Sequence, residues 1–443
     1  MGCFSNERSA TRALALSDFT LRNHKKGITA LQIIEMPLAS KAPVLISGDS
    51  QGLLVMWDLV TKRPITSMQM EGDPHIVAFQ WVESSSVLSV LCKDSMLRMF
   101  KVKKPAARST DLVSRQYQSN KMENLQCIQI YEMPINTLNF ANFIMDAPME
   151  LETSDGIYRL VCCHTSDSEA IDIYQIIEDS TFKLQRPFSD INFPKFLKEL
   201  NFSKLPKDSK FGIIMRFARL NDVIFLGFEN GFIIGFTTTF DEDLRKHVVE
   251  LVHVSNDHYP NPILNMCVNG NELYSCSTDD FITKHKFSMN PRVATNYIKS
   301  TTLSIKCSNT LTVSEPLKIH LPLRNISHID KVTESTLLVS SWSGKTIVLN
   351  VHTSEVVQTF MKTKNNLIVN DSSIGDLTNG NNSNAESSLK SNNYKVGAMT
   401  GLKSFHLQSG GLKLGELRRF KGLADSNWCI IGYDDGTIKL NKV

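Results

Sequence analysis

Apolar and polar positions follow one pattern that recurs from end to end of this chain. An apolar strand is followed by a short turn rich in Asp, Asn or Gly, and the turn is followed by a second strand. These turn residues tolerate the left-handed backbone of a tight hairpin, so each copy predicts two antiparallel strands. The copies lie at 44–59, 87–100, 158–174, 223–236, 272–285, 337–349 and 428–440. Hairpin repeats preceded by a further apolar strand are typical of a β-propeller, so the pattern predicts an all-β, seven-bladed propeller with long inter-strand insertions.

The two ends of the chain predict how the ring closes. The last copy ends after its third strand at Val443, whereas residues 12–21 precede the first copy and have the pattern of a strand. Pairing this N-terminal strand with the last blade would remove a free sheet edge, so we expect a single domain over 1–443. The predicted blades span 22–70, 71–125, 126–185, 205–258, 259–322, 323–362 and 395–443, with a disordered, Asn- and Ser-rich insertion at 363–394.

The first copy resembles the WD-repeat family. Its strand–turn–strand begins near Ser47 and ends in the dipeptide Trp57-Asp58. In that family a His, a Ser, an Asp and a Trp form hydrogen bonds within a blade. The resemblance places three of these roles on His24, Ser47 and Trp57, while Gln51 occupies the position of the Asp, so this tetrad is expected to be incomplete. In later copies the turn position is matched by Asn230, Asp279 and Asp435, and the Trp position holds Phe100, Tyr174, Phe236, His285, Leu349 and Asn441.

A long insertion at 179–211 separates the third and fourth copies. Its aromatic residues, which include Phe188, Phe193, Phe196 and Phe202, alternate with Lys and Asp. Two interpretations stay open: the segment packs against its own propeller, or it presents exposed aromatic anchors to a partner protein. Under the second interpretation, replacing Phe193 and Phe196 with Asp abolishes docking.

Composition and charge narrow the classes of function. The 443 residues carry a formal net charge of +3, too balanced to predict direct binding to nucleic acid or to an acidic membrane. No apolar run is long enough to span a membrane. The His and Cys residues lack metal-ligand spacing and no carboxylates pair by sequence, so no metal, cofactor or small-molecule substrate is expected. The nine unclustered cysteines and the absence of a secretory signal favour free thiols in a reducing compartment.

Three hypotheses for function remain at this point. A rigid ring with variable loops suits protein binding, so a non-enzymatic scaffold comes first. A hydrolase built on a propeller would need acidic or His side chains converging on the central channel. A substrate receptor for a cullin ubiquitin ligase usually carries Trp-Asp-x-Arg, whereas Leu59 and Val60 follow the dipeptide here.

The ends of the chain carry a closer resemblance. The segments Phe19 to Leu31 and Ile430 to Leu440, together with the strong first blade and the Asn/Ser-rich late insertion, are similar to those of the fungal ASTRA-associated WD-repeat family. This resemblance implies a subunit of the ASTRA complex linked to chromatin remodelling. It further implies association with the TTT co-chaperone, which matures phosphatidylinositol-3-kinase-like kinases. A nuclear location is implied, and a cytoplasmic pool is a further expectation.

Overall fold

The strands of this chain form seven radial blades. A computed structural model describes residues 18–36, 42–103, 125–137, 141–147, 156–199, 210–241, 246–285, 296–299, 304–312, 316–364, 393–406 and 414–443. Within these ranges the strands group into seven sheets, each containing a four-stranded blade. The predicted all-β, seven-bladed propeller is therefore confirmed.

The closing strand and the first three blades follow one another along the chain. The closing strand, β1, spans Phe19–Arg22. The first blade contains β2 (Ile28–Ile34), β3 (Val44–Asp49), β4 (Leu53–Asp58) and β5 (Arg63–Gln69). The second contains β6 (Ile76–Val82), β7 (Val87–Cys92), β8 (Met96–Lys103) and β9 (Gln126–Pro134). The third contains β10 (Ile144–Asp146), β11 (Ile157–Cys163), β12 (Ile171–Glu178) and β13 (Phe182–Ile191), followed by helix α1 (Phe193–Glu199).

The remaining blades contain one departure from regular order. The fourth contains β14 (Ile214–Leu220), β15 (Val223–Phe228), β16 (Ile233–Asp241) and β17 (Lys246–Ser255). Next come β18 (Asn265–Asn269), β19 (Glu272–Cys276), β20 (Phe281–His285), β21 (Asn296–Lys299), β22 (Ser304–Thr312) and β23 (Leu317–His320). The sixth blade contains β24 (Ile326–Thr333), β25 (Thr336–Ser341), β26 (Lys345–Asn350) and β27 (Val356–Met361). The seventh contains β28 (Val396–Leu402), helix α2 (Leu414–Ala424), β29 (Trp428–Tyr433) and β30 (Thr437–Lys442).

Strands β21 and β22 follow strands of the fifth blade in the sequence but belong to the sheet of the fourth blade. The fifth blade consists of β18, β19, β20 and β23, whereas β22 pairs in parallel with β17 and places the β21–β22 hairpin on the outer edge of the fourth blade. The insertion between β20 and β23 therefore joins two adjacent blades through backbone hydrogen bonds. Sequence periodicity does not reveal such a pairing, because it depends on where a long connection returns.

The apolar side chains lie between neighbouring blades. Ile46 and Met56 of the first blade, for example, pack with Leu88 and Val90 of the second. In the described ranges, each of the seven interfaces between successive blades contains such a cluster. A central strand covered on both faces has no solvent-facing side, which explains why every residue of β3 and β7 is buried and why their apolar residues do not alternate with exposed polar ones.

The N-terminal strand closes the ring. Strand β1 pairs antiparallel with β30, and Leu21 stands opposite Ile438. Leu21 is buried between the seventh and first blades. Asp18 adds two bonds, since its N–H donates to the Leu440 carbonyl over 3.0 Å and its Oδ2 accepts the Lys442 N–H over 2.7 Å. The strand expected at 12–21 is observed at Phe19–Arg22, and residues 12–17 lie outside the described residues.

Two predicted blade boundaries need correction. The sequence pattern predicts Gln126–Pro134 at the start of the third blade, but this segment pairs with β8 as the outer strand of the second. Likewise, β13 extends to Ile191, past the predicted end at 185. The reason is that the insertion after Lys103 lies inside a blade, before its outer strand. The insertion expected to be disordered falls largely outside the described residues, at 365–392.

Candidate functional site

A hydrogen-bonded tetrad ties the first blade together. His24 lies in the segment before β2, and its Nε2 is 2.7 Å from the Ser47 Oγ on β3. The Trp57 Nε1–H on β4 donates to the same Oγ over 2.8 Å. The His24 Nδ1 is 2.9 Å from the Asp49 Oδ2. All four side chains are buried, so these bonds link three consecutive segments of the blade in a site of low dielectric.

Asp49, and not residue 51, supplies the carboxylate. The resemblance placed that role at Gln51, which is exposed, and the expectation of an incomplete tetrad is therefore corrected. Asp49 ends β3, so its carboxylate reaches both His24 and the turn, where Oδ1 accepts the N–H groups of Gln51 and Leu53 at 2.9 and 3.0 Å. Burial alone would raise the pKa of Asp49, but these hydrogen bonds and His24 together lower it below its ordinary value.

The dipeptide residue Asp58 has a separate, local role. Its Oδ1 accepts the Val60 N–H over 2.9 Å, and its Oδ2 accepts the Thr61 hydroxyl over 2.6 Å. Asp58 therefore holds the turn between β4 and β5.

A second tetrad occupies the fifth blade, with His in place of Trp. The His258 Nδ1 lies 2.7 Å from the Asp279 Oδ2, and its Nε2 lies 2.9 Å from the Ser275 Oγ. The His285 Nε2 is 2.7 Å from the same Oγ. Asp279 and His285 were both aligned by the repeat pattern, but His258 was missed. The spacing of ten residues between the Ser and the ring is shared with the first blade. The spacing from the first His to the Ser is not shared, since it is 23 residues in the first blade and 17 in the fifth, so it gave no signal for His258.

A third polar cluster lies in the third blade and was not predicted. Asp172 is fully buried within β12 and forms an ion pair with Arg186, whose Nη2 lies 2.6 Å from the Asp172 Oδ2. The His164 Nδ1 lies 2.9 Å from its Oδ1, and the Asp190 N–H donates to it over 3.0 Å. Burial would raise the pKa of Asp172, but Arg186, the Asp190 N–H and His164 lower it. The available signal was a carboxylate between Ile171 and Ile173, because a buried charge requires partners.

The other matched turn residues stabilise local loops. The Asn230 Oδ1 accepts the Phe232 N–H over 3.3 Å, and its Nδ2 donates to the Lys210 carbonyl over 2.6 Å. Asp435 accepts the Thr437 hydroxyl over 2.8 Å and contacts the Lys362 ammonium. Each residue therefore holds its own turn and also ties that turn to a segment distant in the sequence.

Three of the four aromatic residues singled out in the 179–211 insertion are core residues. Phe188, Phe193 and Phe196 are 5%, 0% and 3% exposed and belong to the cluster between the third and fourth blades. The Phe193 ring lies 4.8 Å from the Phe236 ring, measured between centroids. The docking role for these three residues is therefore wrong, and the alternative interpretation, packing against the propeller, describes them. Phe202 lies outside the described residues.

Three properties of the described residues bear on metal binding, membrane spanning and thiol reactivity. In the part of the chain that the structure covers, no group of three or more His, Cys, Asp or Glu side chains is placed to hold a metal ion. None of the helices that the structure describes is long and apolar enough to cross a membrane. Cys92 is a buried free thiol, and burial raises its pKa to about 12, so it is protonated at neutral pH.

The assignment of Asp49 to the first-blade tetrad can be tested by comparing the stability effects of substitutions at Asp49 and Gln51. Asp49→Ala removes the partner of a buried imidazole and of two backbone N–H groups. We expect a loss of about 2–4 kcal/mol in the free energy of unfolding, measured by urea denaturation. Gln51→Ala is the matched control and is expected to change it by less than about 0.5 kcal/mol, since the side chain is exposed. Equal effects of the two substitutions would contradict the assignment of Asp49 to the tetrad.

Comparison with known proteins agrees with this architecture. The sequence profile of a family described as ASTRA-associated protein 1 matches residues 17–441. The chain belongs to the ASTRA-associated protein 1 family. Members of this family include ASTRA-associated protein 1 of Saccharomyces cerevisiae, which is 66% identical over 440 residues covering 99% of each chain. The member from Zygosaccharomyces rouxii is 36% identical over 434 residues, covering 97% of this chain and 99% of its own. The family resemblance expected from the chain ends is thereby confirmed.

One solved structure supports the fold of the family. The crystal structure of Chaetomium thermophilum Raptor has a TM-score of 0.51 and 11% sequence identity to this chain. The match covers 96% of this chain and 29% of Raptor, so this chain spans less than a third of that protein's length. At such low identity the likeness supports the propeller fold alone.

Proposed function

We propose that this chain is a non-enzymatic scaffold subunit of the ASTRA complex. Under this proposal it works in the nucleus, with a further cytoplasmic pool, and contributes to chromatin remodelling through protein partners. It associates with the TTT co-chaperone during the maturation of phosphatidylinositol-3-kinase-like kinases. The observation that carries the proposal is membership, over residues 17–441, of a family whose members are named for association with ASTRA.

The use of the buried polar groups supports a scaffold role. The three His-centred clusters, around His24, His258 and His164, bond to side chains of their own blades. Such bonds lock the blades and leave the loops at both ends of the ring for recognition. The net charge of +3 supports contact with chromatin through protein partners and not through direct phosphate binding.

Gentle affinity purification of the tagged chain from its own cells tests the proposal. We expect stoichiometric recovery of ASTRA members and TTT subunits, identified by mass spectrometry, and a nuclear signal from a fluorescent fusion. The tag alone and an unrelated tagged propeller serve as controls. Recovery of the chain by itself, or of a cullin adaptor in place of ASTRA members, would overturn the proposal.

A further inference from the structure

Basic residues collect at one end of the seventh and first blades. Helix α2 lies between β28 and β29, Lys442 ends β30, and Lys62 lies in the turn between β4 and β5. In antiparallel blades of this order, the connections after the first and third strands share one end of the propeller. We call the surface formed by Lys62, Arg418, Arg419, Lys421 and Lys442 the basic face.

A chain of aromatic contacts makes this surface continuous. The Lys62 Nζ lies 3.8 Å from the centre of the Phe19 ring. The Phe19 and Trp428 rings are 6.2 Å apart, and the Lys442 Nζ lies 5.4 Å from the Trp428 ring. The Trp428 Nε1–H donates to the Leu423 carbonyl over 2.9 Å, which fixes the last turn of α2. The closing strand, the third strand of the last blade and the helix therefore meet at Trp428.

One side of helix α2 packs against the propeller core, and the other side is exposed to solvent. Leu423 is buried and Phe420 packs against the core between the seventh and first blades. Arg418, Arg419 and Lys421 are exposed, and Leu414 at the start of the helix is 73% exposed. The helix thus presents three cations and one apolar side chain on a rigid support.

The described carboxylates closest to these cations do not pair with them directly. Asp18 accepts the Lys442 backbone N–H, and Asp58 accepts the Val60 N–H and the Thr61 hydroxyl. Among the side chains that the structure describes, no carboxylate forms an ion pair with any of the five cations of the basic face. Partial burial lowers the pKa of Lys62, and the like charge of Lys442 lowers it further against the opposing effect of Asp58. An anion placed here would relieve the repulsion between the two ammonium groups.

We propose that the basic face docks an acidic segment of a partner protein, with carboxylates on the five cations and apolar side chains against Leu414 and Phe19. The inference rests on the proposed scaffold function for the existence of such a partner. Charge complementarity identifies the chemistry, because unpaired cations on a fixed helix favour carboxylates. A mixed apolar and acidic segment also matches the exposed fractions of Leu414 and Phe19, 73% and 41%.

Two observations favour a protein over a nucleic acid. One face of the Phe19 ring is already covered by the Lys62 ammonium, which leaves less of the ring for a base to stack on. The five cations are also confined to one end of two blades, whereas duplex binding uses many phosphate contacts along a groove.

Direct binding of a defined peptide tests the proposal. The probe is a rhodamine-labelled peptide of Asp, Glu and Phe, with an Asn/Gln/Phe peptide as its neutral counterpart, and binding to the full chain is followed by fluorescence anisotropy. We expect affinity for the acidic peptide only, weakening as salt rises. Replacing Arg418, Arg419 and Lys421 with Gln should weaken it about tenfold, and replacing them with Glu about a hundredfold. The matched control replaces the exposed Lys183 of the third blade and Lys195 and Lys198 of helix α1 with Glu, which changes the net charge by the same amount as the Glu variant.

The outcomes separate this inference from the proposed function. Unchanged peptide binding by the folded Gln variant, equal losses in the control variant, or tighter binding of duplex DNA than of the peptide would each overturn the basic face as a protein-docking site. In the affinity purification, the Gln variant should lose a partner that the wild type and the control recover. A wild type that binds the peptide but recovers no ASTRA or TTT subunit would overturn the proposed function alone.

Discussion

Phe193→Asp is expected to leave this chain without a folded propeller. The ring is fully buried between the third and fourth blades and contacts Phe236. Loss of a buried Phe side chain costs about 3–5 kcal/mol, and an unpaired carboxylate in its place costs several more. The sum approaches the whole stability of an ordinary domain, about 5–15 kcal/mol. The measurement is soluble yield and the thermal unfolding midpoint of the purified chain.

Lys195→Asp is the matched control, because Lys195 is an exposed residue of the same helix. Its backbone N–H is capped by the Asn192 Oδ1 over 2.9 Å, and an acidic side chain in the first turn of a helix is favourable. We expect a stability equal to or slightly above that of the wild type. Phe193→Leu, which keeps an apolar side chain, should fold with a reduced midpoint. A stable, soluble Phe193→Asp variant that loses only partner binding would contradict the core assignment and restore the docking role.

Leu21→Asp is expected to open the ring at its closing strand. The side chain is 2% exposed and lies in the cluster between the seventh and first blades. A buried, unpaired carboxylate there should release β1 from β30 and cost about 4 kcal/mol or more. The exposed edge of β30 would then favour association between chains. Chemical denaturation and size-exclusion chromatography measure the two effects.

Arg22→Asp provides the comparison on the same strand. Arg22 is exposed and stands opposite Thr437, so its replacement leaves the closing pairing intact. We expect a change below about 0.5 kcal/mol and a monomer-like elution. Aggregation or equal destabilisation of both variants would show that the strand is sensitive to any acidic substitution, and the ring-closure explanation would fail.

The positions that the sequence located correctly depend on short-range order. The hairpin from Val44 to Asp58 follows from an apolar run, a turn and a second apolar run, all set by neighbouring residues. Ser47 and Trp57 could be matched because both lie on one hairpin with a constant spacing of ten residues. In the fifth blade the same spacing links Ser275 to His285.

Other features depend on distances between segments that the sequence does not encode locally. Asp49 replaces Gln51 in the tetrad because the end of β3 points its carboxylate at His24, 25 residues earlier. Likewise, β22 extends the fourth blade because a long connection returns beside β17.

The sequence by itself determined the repeated hairpins, the number of blades and the family, because strand periodicity and turn chemistry act over a few residues. Only the tertiary structure decided that Phe193 is core and that Lys62 and Lys442 lie on aromatic rings beside the last turn of α2. An aromatic residue in a polar insertion has the same local pattern whether it meets solvent or a second blade. The choice between the two is made by the free energy of packing distant segments together.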